Sequence, residues 1–600
     1  MVDAKKKELL LGNDAITLGL IEAGVKVAAT YPGTPSSEIG NSLEKIAEKN
    51  GIFFEFSSNE KIAMEVAAAA AMSGVRSFAF MKHVGINVAA DPMMTLAYAG
   101  VRGGMVIMSA DDPLAHSSQN EQDNRYYATL SMLPMLEPST PSEAKTMVKA
   151  AFDISEELEL PVMFRTTTRV NHARGIVEHG ESVKKAQIGH FEKDRRFINI
   201  PVNARYNRLR LLELNRKAME LSEKSPFNLV IGNSDTGVIT SGVSYTYVKE
   251  CLKDVSILKL GFTNPLPEKM IADFIRSKKK IIVIEELEPF LEDQVLRVSA
   301  QNKLQVPIYG KRSGHLPREF EYSPDVMKKL SSIVKVEESA VPLTNAEVKL
   351  PSRPPTLCAG CPHRGIFAAM KKAVGKRDAI YSSDIGCYSL GAQAPFSVAD
   401  MILCMGGGMG AAGGFARSTD QKVISIIGDS TFFHSGITPL ISAKFNGHKF
   451  TAVILDNRTT AMTGHQPNPG TGRHHGGINT EPLDIETVVK AIGIEFIKTV
   501  DPYDVKKSTE IMKKALDFDG ISVVISKRAC PLELKRHKAL EAKISKVNQE
   551  KCVKCYTCLS TIACPALVKS NDTVTVDDKQ CIGCMMCNSV CPRSAIEVVL

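Results

Sequence analysis

No run in the 600-residue chain approaches the ~20 apolar residues that a membrane-spanning helix needs, which excludes helical integral membrane classes. Basic and aromatic side chains are not interleaved, so nucleic acid is not an expected partner. No signal peptide heads the sequence: the first ten residues carry Lys5, Lys6 and Lys7 without an apolar stretch. No short-period repeat is present. With 14 cysteines and no export signal, a disulfide scaffold is not expected and a reducing, cytoplasmic and anaerobic setting is. The net charge of +8 is dispersed, which suits solvated surface and also favours an acidic protein partner. A chain this long exceeds one hydrophobic core, and three to five domains are expected.

What is present is concentrated at the end. One cysteine run is Cys552-x2-Cys555-x2-Cys558-x5-Cys564-Pro565, and a second is Cys581-x2-Cys584-x2-Cys587-x3-Cys591-Pro592. This spacing is similar to that of two-cluster ferredoxins. Three cysteines at x2 spacing wrap a cubane and the distant fourth ligates the other cluster. The expected sets are therefore Cys552, Cys555, Cys558 and Cys591 on one [4Fe–4S], and Cys581, Cys584, Cys587 and Cys564 on the other. Zinc sites show separated cysteine pairs rather than triplets. The first run has five residues before Cys564 where the second has three before Cys591. The extra residues are expected to bulge the connecting loop, and a [3Fe–4S] form stays open. Such clusters move single electrons, so the rest of the chain is expected to make or consume low-potential electrons.

Upstream, strands and helices alternate. Residues 12–23 and the Ala-rich stretch 60–72 read as helices, and 27–30, 78–81 and 105–109 as short buried strands. That alternation predicts a parallel sheet covered on both faces. The expected domains are 1–169, a charged irregular connector 170–222 carrying Arg195, Arg196, Arg205, Arg208 and Arg210, an α/β domain 223–345, an α/β domain 346–535, and a cysteine-rich domain 536–600. Strands are expected over 228–231, 256–259 and 280–284. A Pro-containing linker is expected over 342–355 and a charged helix over 532–546. The fold class is thus α/β, with three doubly wound parallel-sheet domains and a small C-terminal α+β two-cluster domain.

In the third α/β domain an apolar strand ends in Gly428-Asp429-Ser430, and a second ends in Asp456-Asn457. Ligands gather at the carboxyl ends of parallel strands. A carboxylate and an amide oxygen are hard ligands suited to Mg²⁺, which completes its shell with phosphates. The run Gly406-Gly407-Gly408-Met409-Gly410 lets backbone N–H groups approach a diphosphate. Together these resemble the thiamine-diphosphate motif, with Ser430 and Asp456 departing from its usual Gly and Asn. The resemblance implies that Asp429 and Asn457 hold Mg²⁺, with the carbonyl of Thr459 as third ligand. It also implies a carboxylate for the cofactor's pyrimidine ring. Glu60 is the candidate over Glu65, because Gly74 closes the same helix at the family's spacing. A plain reading of Glu60 is a favourable acid in a first helical turn.

Of the remaining cysteines, Cys358-x2-Cys361, Cys387 and Cys530 resemble the proximal-cluster ligands of 2-oxoacid:ferredoxin oxidoreductases, implying a third [4Fe–4S] near the thiamine. Inert buried thiols or a redox pair are the other readings. Cys251 and Cys404 are expected in the core. Tyr31-Pro32-Gly33-Thr34-Pro35-Ser36-Ser37 is similar to the substrate loop of these enzymes. Gly428 to Gly436, Leu455 to Gln466, Cys361-Pro362-His363-Arg364 and Ser118 to Arg125 are similar to their arylpyruvate branch. Over almost the whole length, the chain resembles the alpha subunits of indolepyruvate-type 2-oxoacid:ferredoxin oxidoreductases. That implies oxidative decarboxylation of arylpyruvates with CoA to aryl-acetyl-CoA, CO2 and reduced ferredoxin. It also implies a smaller beta subunit, in a heterodimer or higher oligomer, and a soluble ferredoxin as acceptor. Thr34 and Arg125 are candidates to grip the substrate carboxylate, with surface charge the alternative for Arg125. His363, His434 and His465 are expected in pocket-like loops, orienting substrate or a proton, or bonding locally. Pyruvate or branched-chain 2-oxoacids remain alternative substrates. An electron-transfer subunit with a vestigial thiamine fold is the alternative class, and the intact Asp429, Asn457 and Glu60 argue against it.

Overall fold

The computed structural model describes residues 6–183, 188–337, 355–474, 479–540 and 543–599. The chain forms two compact units, Met1–Glu347 and Val348–Leu600. The expected linker lies, apart from residue 355, outside the described residues.

The first unit holds a seven-stranded sheet. Its order is Phe262–Asn264, Met135–Leu136, Val162–Thr167, Met105–Asp111, Ser77–Lys82, Val27–Thr30, Phe53–Phe56, parallel throughout except for the first pair. All seven residues of Met105–Asp111 are buried, which is why it reads as a continuous apolar run rather than an alternating one. The helix Pro141–Leu158 covers one face. Thr140 caps it by accepting from Glu143 N at 3.2 Å, and Pro141 occupies the first position, where no N–H is missed.

The second sheet runs Ile308–Tyr309, Lys280–Ile284, Thr236–Ser241, Ser256–Leu260, Leu229–Ile231, with the last strand antiparallel. Phe262–Asn264 comes directly after this sheet's Ser256–Leu260 yet pairs with the first sheet. The expected boundaries at 169 and 222 therefore fall inside one unit. The connector is not irregular among its described residues. Arg174–Glu178 pairs antiparallel with Lys7–Leu11, and Pro201–Glu223 is a 23-residue helix. Only Asn207, Leu211, Ala218 and Ser222 of that helix are buried, so its apolar seam is too narrow to stand out in the sequence.

Arg125 is not a surface charge, nor is it free to hold a substrate. It is 1% exposed. Nε donates to both oxygens of Asp123 at 2.9 and 3.1 Å, and Nη1 donates to Glu285 Oε2 at 2.6 Å. Nη2 donates to Asp123 Oδ2 and to the carbonyls of Glu286 and Glu288. Glu285 also accepts the N–H groups of Leu291 and Glu292, both at 2.8 Å. The guanidinium is thus spent on joining a loop of the first sheet to the strand end of the second.

The second unit has a six-stranded, wholly parallel sheet in the order Met401–Ile402, Ala379–Ser383, Lys422–Gly428, Thr451–Asp456, Ser522–Lys527, Phe496–Val500. The charged stretch after it is not one helix. Pro531–Arg536 is helical, Lys538 takes a left-handed φ of 54°, and Ile544–Val547 is a strand paired with Ile596–Val599. The tail adds the hairpin Leu567–Ser570 with Thr573–Val576 and the short helices Thr557–Ile562 and Met586–Ser589. Among the described residues no helix is long and apolar enough to cross a membrane.

Removing one partner of a buried ion pair strands the other. Arg125→Met is therefore expected to lower the unfolding free energy by about 3–5 kcal/mol, by leaving Asp123 and Glu285 uncompensated. The readout is a lower urea midpoint at unchanged m-value.

Candidate active site

Parallel register builds the centre of the second unit. Gly428 lies opposite Leu455 and Asp456 opposite Lys527, so Asp429, Asn457 and the segment leading to Cys530 leave the same sheet edge. Asp429 is 3% exposed. Its Oδ1 accepts from Ser430 N at 2.7 Å, while among the described residues the buried Oδ2 makes no well-formed hydrogen bond, although the Asn468 amide and the Arg458 N–H lie near enough to lower the carboxyl. Burial, and then Asp456, push its carboxyl up to about 7. An orphaned buried carboxylate oxygen is what a hard cation satisfies. Asn457 Oδ1 accepts from Thr459 N at 3.1 Å, leaving one lone pair, and Thr459 Oγ1 is buried without a partner. Ser430, in place of the usual Gly, accepts from Thr460 Oγ1 at 3.0 Å. Gly428 admits Tyr388: a Cβ there would sit 2.7 Å from the ring.

The glycine run acts differently from expectation. Gly406 N and Gly408 N donate to the two carboxylate oxygens of Asp384 at 2.8 and 3.0 Å, and Gly407 N donates to Cys404 O at 2.9 Å. These N–H groups are committed inside the protein rather than offered to a diphosphate. What the glycines supply is close approach. A Cβ would meet Ser435 Cβ at 2.3 Å from Gly406 and Ser383 O at 2.5 Å from Gly408, and Gly406 has φ +84°. Asp384 carries no motif signal in the sequence, and only the fold reveals its role. Burial raises its carboxyl to about 6, against the pull of the N–H groups of Ile385, Gly406 and Gly408.

Cys358, Cys361, Cys387 and Cys530 are electrostatic neighbours. Burial first, and then Cys530 and Cys358, push the Cys387 thiol up to about 12. Cys361 is raised by burial and then by Cys387 and Cys530 among its neighbours. Cys530 N donates to Asn457 O at 3.0 Å, which ties this group to the Asp429–Asn457 pair. Of the two cysteines expected in the core, Cys251 is buried and Cys404 is exposed.

The tail cysteines line two separate cavities. One is bounded by Cys564, Cys581, Cys584 and Cys587, the other by Cys552, Cys555, Cys558 and Cys591. This crossed arrangement matches the cubane sets anticipated from spacing. Among the described residues no group of three or more Cys, His, Asp or Glu side chains is placed to hold a metal ion. The two extra residues before Cys564 do not bulge a loop. They lengthen the helix Thr557–Ile562 to six residues against four in Met586–Ser589, and left-handed Ala563 then turns the chain into Cys564. Ala359 and Gly360, between Cys358 and Cys361, line the Cys564-containing cavity. Buried Arg364 locks that contact. It donates to Cys358 O at 3.0 Å, to Ile562 O at 3.1 Å and to the carbonyls of Leu357 and Ala563.

In the first unit Glu60 is 7% exposed at the start of Glu60–Met72, behind the cap Asn59, which accepts from Ile62 N at 2.9 Å. Gly85 makes room for it: a Cβ there would lie 2.9 Å from Glu60 Oε1. Glu65 instead pairs with Lys61 on a half-exposed face. Thr34 is half-buried, and its carbonyl accepts from Ser117 Oγ at 3.4 Å. His363 is not in a loop: it sits in the helix Pro362–Val374, edge-on to Tyr388, and burial lowers it to about 4, a neutral ring. His434 is buried 2.5 Å from Ser435 Oγ, and His465 is half-buried 3.4 Å from Glu533.

Residues 384–526 match the family described as thiamine pyrophosphate enzyme, C-terminal TPP binding domain, and residues 18–207 match pyruvate flavodoxin/ferredoxin oxidoreductase, thiamine diphosphate-binding. Residues 574–597 match the 4Fe-4S binding domain. The chain is 46% identical to the indolepyruvate oxidoreductase subunit IorA of Methanothermobacter marburgensis, over 98% of this chain and 97% of that one. It is 42% identical to the IorA subunit of Archaeoglobus fulgidus, over 99% and 97%. A 2-oxoglutarate synthase subunit KorA of Archaeoglobus fulgidus is 25% identical over 47% of this chain and 88% of that one. A solved 2-oxoglutarate:ferredoxin oxidoreductase from Magnetococcus marinus aligns at TM-score 0.45 and 14% identity, over 55% of this chain and 65% of that chain.

The glycine geometry separates two neighbouring positions. Gly406→Ala is expected to destabilise by about 1–3 kcal/mol through its left-handed backbone and the Ser435 contact. Gly414→Ala, in the adjoining helix with nothing within 4 Å of a new Cβ, is expected to stabilise by about 0.4–1 kcal/mol. Denaturant titration of the two variants checks both signs.

Proposed function

The chain belongs to the family of indolepyruvate oxidoreductase IorA subunits, and from that premise we propose how its residues share the oxidative decarboxylation of arylpyruvates. The carrying observation is that the orphaned Asp429 carboxylate and the Cys358/Cys361/Cys387/Cys530 group lie at one sheet edge, joined by the bond from Cys530 N to Asn457 O. In this reading a 2-oxoacid and the thiol of CoA yield an acyl-CoA, CO2, one proton and two electrons. Thiamine diphosphate, when bound, supplies the nucleophilic carbon and the electron sink for loss of CO2.

Asp429 Oδ2, Asn457 Oδ1 and the carbonyl of Thr459 are the ligands that would hold Mg²⁺ and, through it, the diphosphate. Asp384 holds the glycine run and thereby shapes the floor of that site. Glu60, buried and backed by Gly85, would hydrogen-bond the pyrimidine ring. Thr34 would meet the substrate carboxylate. Three thiol sets would each hold a [4Fe–4S] cluster. Cys358, Cys361, Cys387 and Cys530 form the set next to Asp429. Cys581, Cys584, Cys587 and Cys564 lie against the Cys358–Cys361 loop, and the set containing Cys552 lies beyond. N–H groups of Ser545 and Gly583 on Cys581 Sγ, at 3.2 and 3.4 Å, stabilise thiolate charge in the middle set. A second subunit and a soluble ferredoxin complete the system, consistent with relatives named as subunits.

The testing assay is anaerobic: the chain with its co-purifying partner, indolepyruvate and CoA, followed by reduction of ferredoxin or a viologen. Reduction requiring both additions supports the reading; reduction with a different 2-oxoacid alone would displace the arylpyruvate assignment. Asp429→Ala is expected to abolish retention of thiamine and Mg²⁺ while leaving iron content intact, and full thiamine occupancy would refute the metal assignment. Cys387→Ala is expected to remove about four irons per chain and stop ferredoxin reduction; an unchanged iron count would remove the third cluster.

A further inference from the structure

With Arg125 committed to Asp123 and Glu285, the charge that receives a 2-oxoacid carboxylate must come from elsewhere. The strand Ser77–Lys82 ends at Lys82, whose stem lies under the Thr34 loop. A Cβ built on Gly33 would sit 3.0 Å from Lys82 Cβ and 3.5 Å from its Cγ and Cδ. Lys82 Nζ donates to Ser117 O at 2.6 Å, and Ser117 Oγ lies 3.4 Å from Thr34 O and 3.3 Å from Asp112 Oδ2. The ammonium, Ser117 and Thr34 therefore lie side by side.

Among the described residues no carboxylate pairs with Lys82. Asp112, the nearest acidic influence, is already engaged: its oxygens accept from Ser117 N at 2.8 Å, Ser118 Oγ at 2.6 Å and Thr168 Oγ1 at 2.7 Å. Burial lowers the ammonium to about 8, while Asp112 and Glu60 pull it back up. The adjacent His83 is fully buried and lowered by burial, so it adds no competing charge. An ammonium has three hydrogens to donate. Half-buried and without an ion pair, it is costly until an anion reaches it, and such groups mark ligand sites.

We infer that Lys82 is the cation that binds the carboxylate of the 2-oxoacid substrate, beside Thr34. The inference rests on the function proposed above and adds a residue that neither the motif reading nor the relatives' names assign. A lysine suits this task, because a compact point charge holds a group that must leave as neutral CO2 without the two-point clamp of an arginine.

The test uses the complete enzyme with its partner subunit in wild-type, Lys82→Met and Lys82→Arg forms. Lys82→Met keeps the apolar stem and removes only the charge. Each form is inhibited with an arylpropionate and with the corresponding neutral amide. The Met variant is expected to raise KM for arylpyruvate and Ki for the arylpropionate about tenfold or more. Ki for the amide, KM for CoA, and thiamine and iron contents should stay near wild type, and Lys82→Arg should recover most of the loss. An unchanged Ki for the carboxylate, or an equal rise for carboxylate and amide, would overturn the inference. If the wild type oxidised a different 2-oxoacid, the arylpyruvate reading would fall, and the same paired inhibitors built on that acid would still decide the role of Lys82.

Discussion

Parallel strand register is the constraint on which the chemistry of this protein depends. In an all-parallel sheet every strand delivers its carboxyl end to one edge, and the residues just beyond each strand are forced into company. Gly428 opposite Leu455 puts Asp429 beside Asp456 and Asn457, and Asp456 opposite Lys527 brings the segment of Cys530 alongside. Ser382 opposite Ser425 sets Asp384 and, three residues on, Cys387 at the same edge. A metal-ready carboxylate and a group of thiols thus meet from segments far apart in sequence, without any loop having to be long.

Burying polar groups carries a cost that the fold meets with internal partners. Asp384 is taken up by three backbone N–H groups. Arg125 is taken up by two carboxylates and two carbonyls, and Arg364 by carbonyls of the Cys358–Cys361 loop and of the tail helix. Buried charge that is fully paired marks architecture. Among the described residues Asp429 Oδ2 makes no hydrogen bond and Lys82 meets no carboxylate.

The tail is joined to the catalytic unit by shape as much as by charge. Gly360, at φ +68°, leaves space where a Cβ would lie 2.1 Å from Ile582 Cδ1, so the loop between Cys358 and Cys361 seats directly on the segment between Cys581 and Cys584. A side chain there would push the two thiol sets apart. The same economy explains the unequal cysteine runs. Two extra residues continue a helix by half a turn and leave Cys564 on the opposite cavity, because a helix advances its end without changing the path of the chain before it.

Much was legible in the sequence because its signals are local. Buried parallel strands are continuous apolar runs, so Val27–Thr30, Lys280–Ile284 and Thr451–Asp456 stand out, and cysteine spacing specified the crossed tail sets. Helix Glu60–Met72 was readable from its Ala content and its closing glycine. The pairing of Arg125 with Glu285 was not legible, since the two lie 160 positions apart. The sequence by itself determined the fold class and singled out Asp429, Asn457 and the spaced cysteines as candidates. Only the tertiary structure decided that Arg125 is scaffold, that the glycine N–H groups belong to Asp384, and that Lys82 is left without a carboxylate, because burial and pairing depend on what long-range packing places alongside each group.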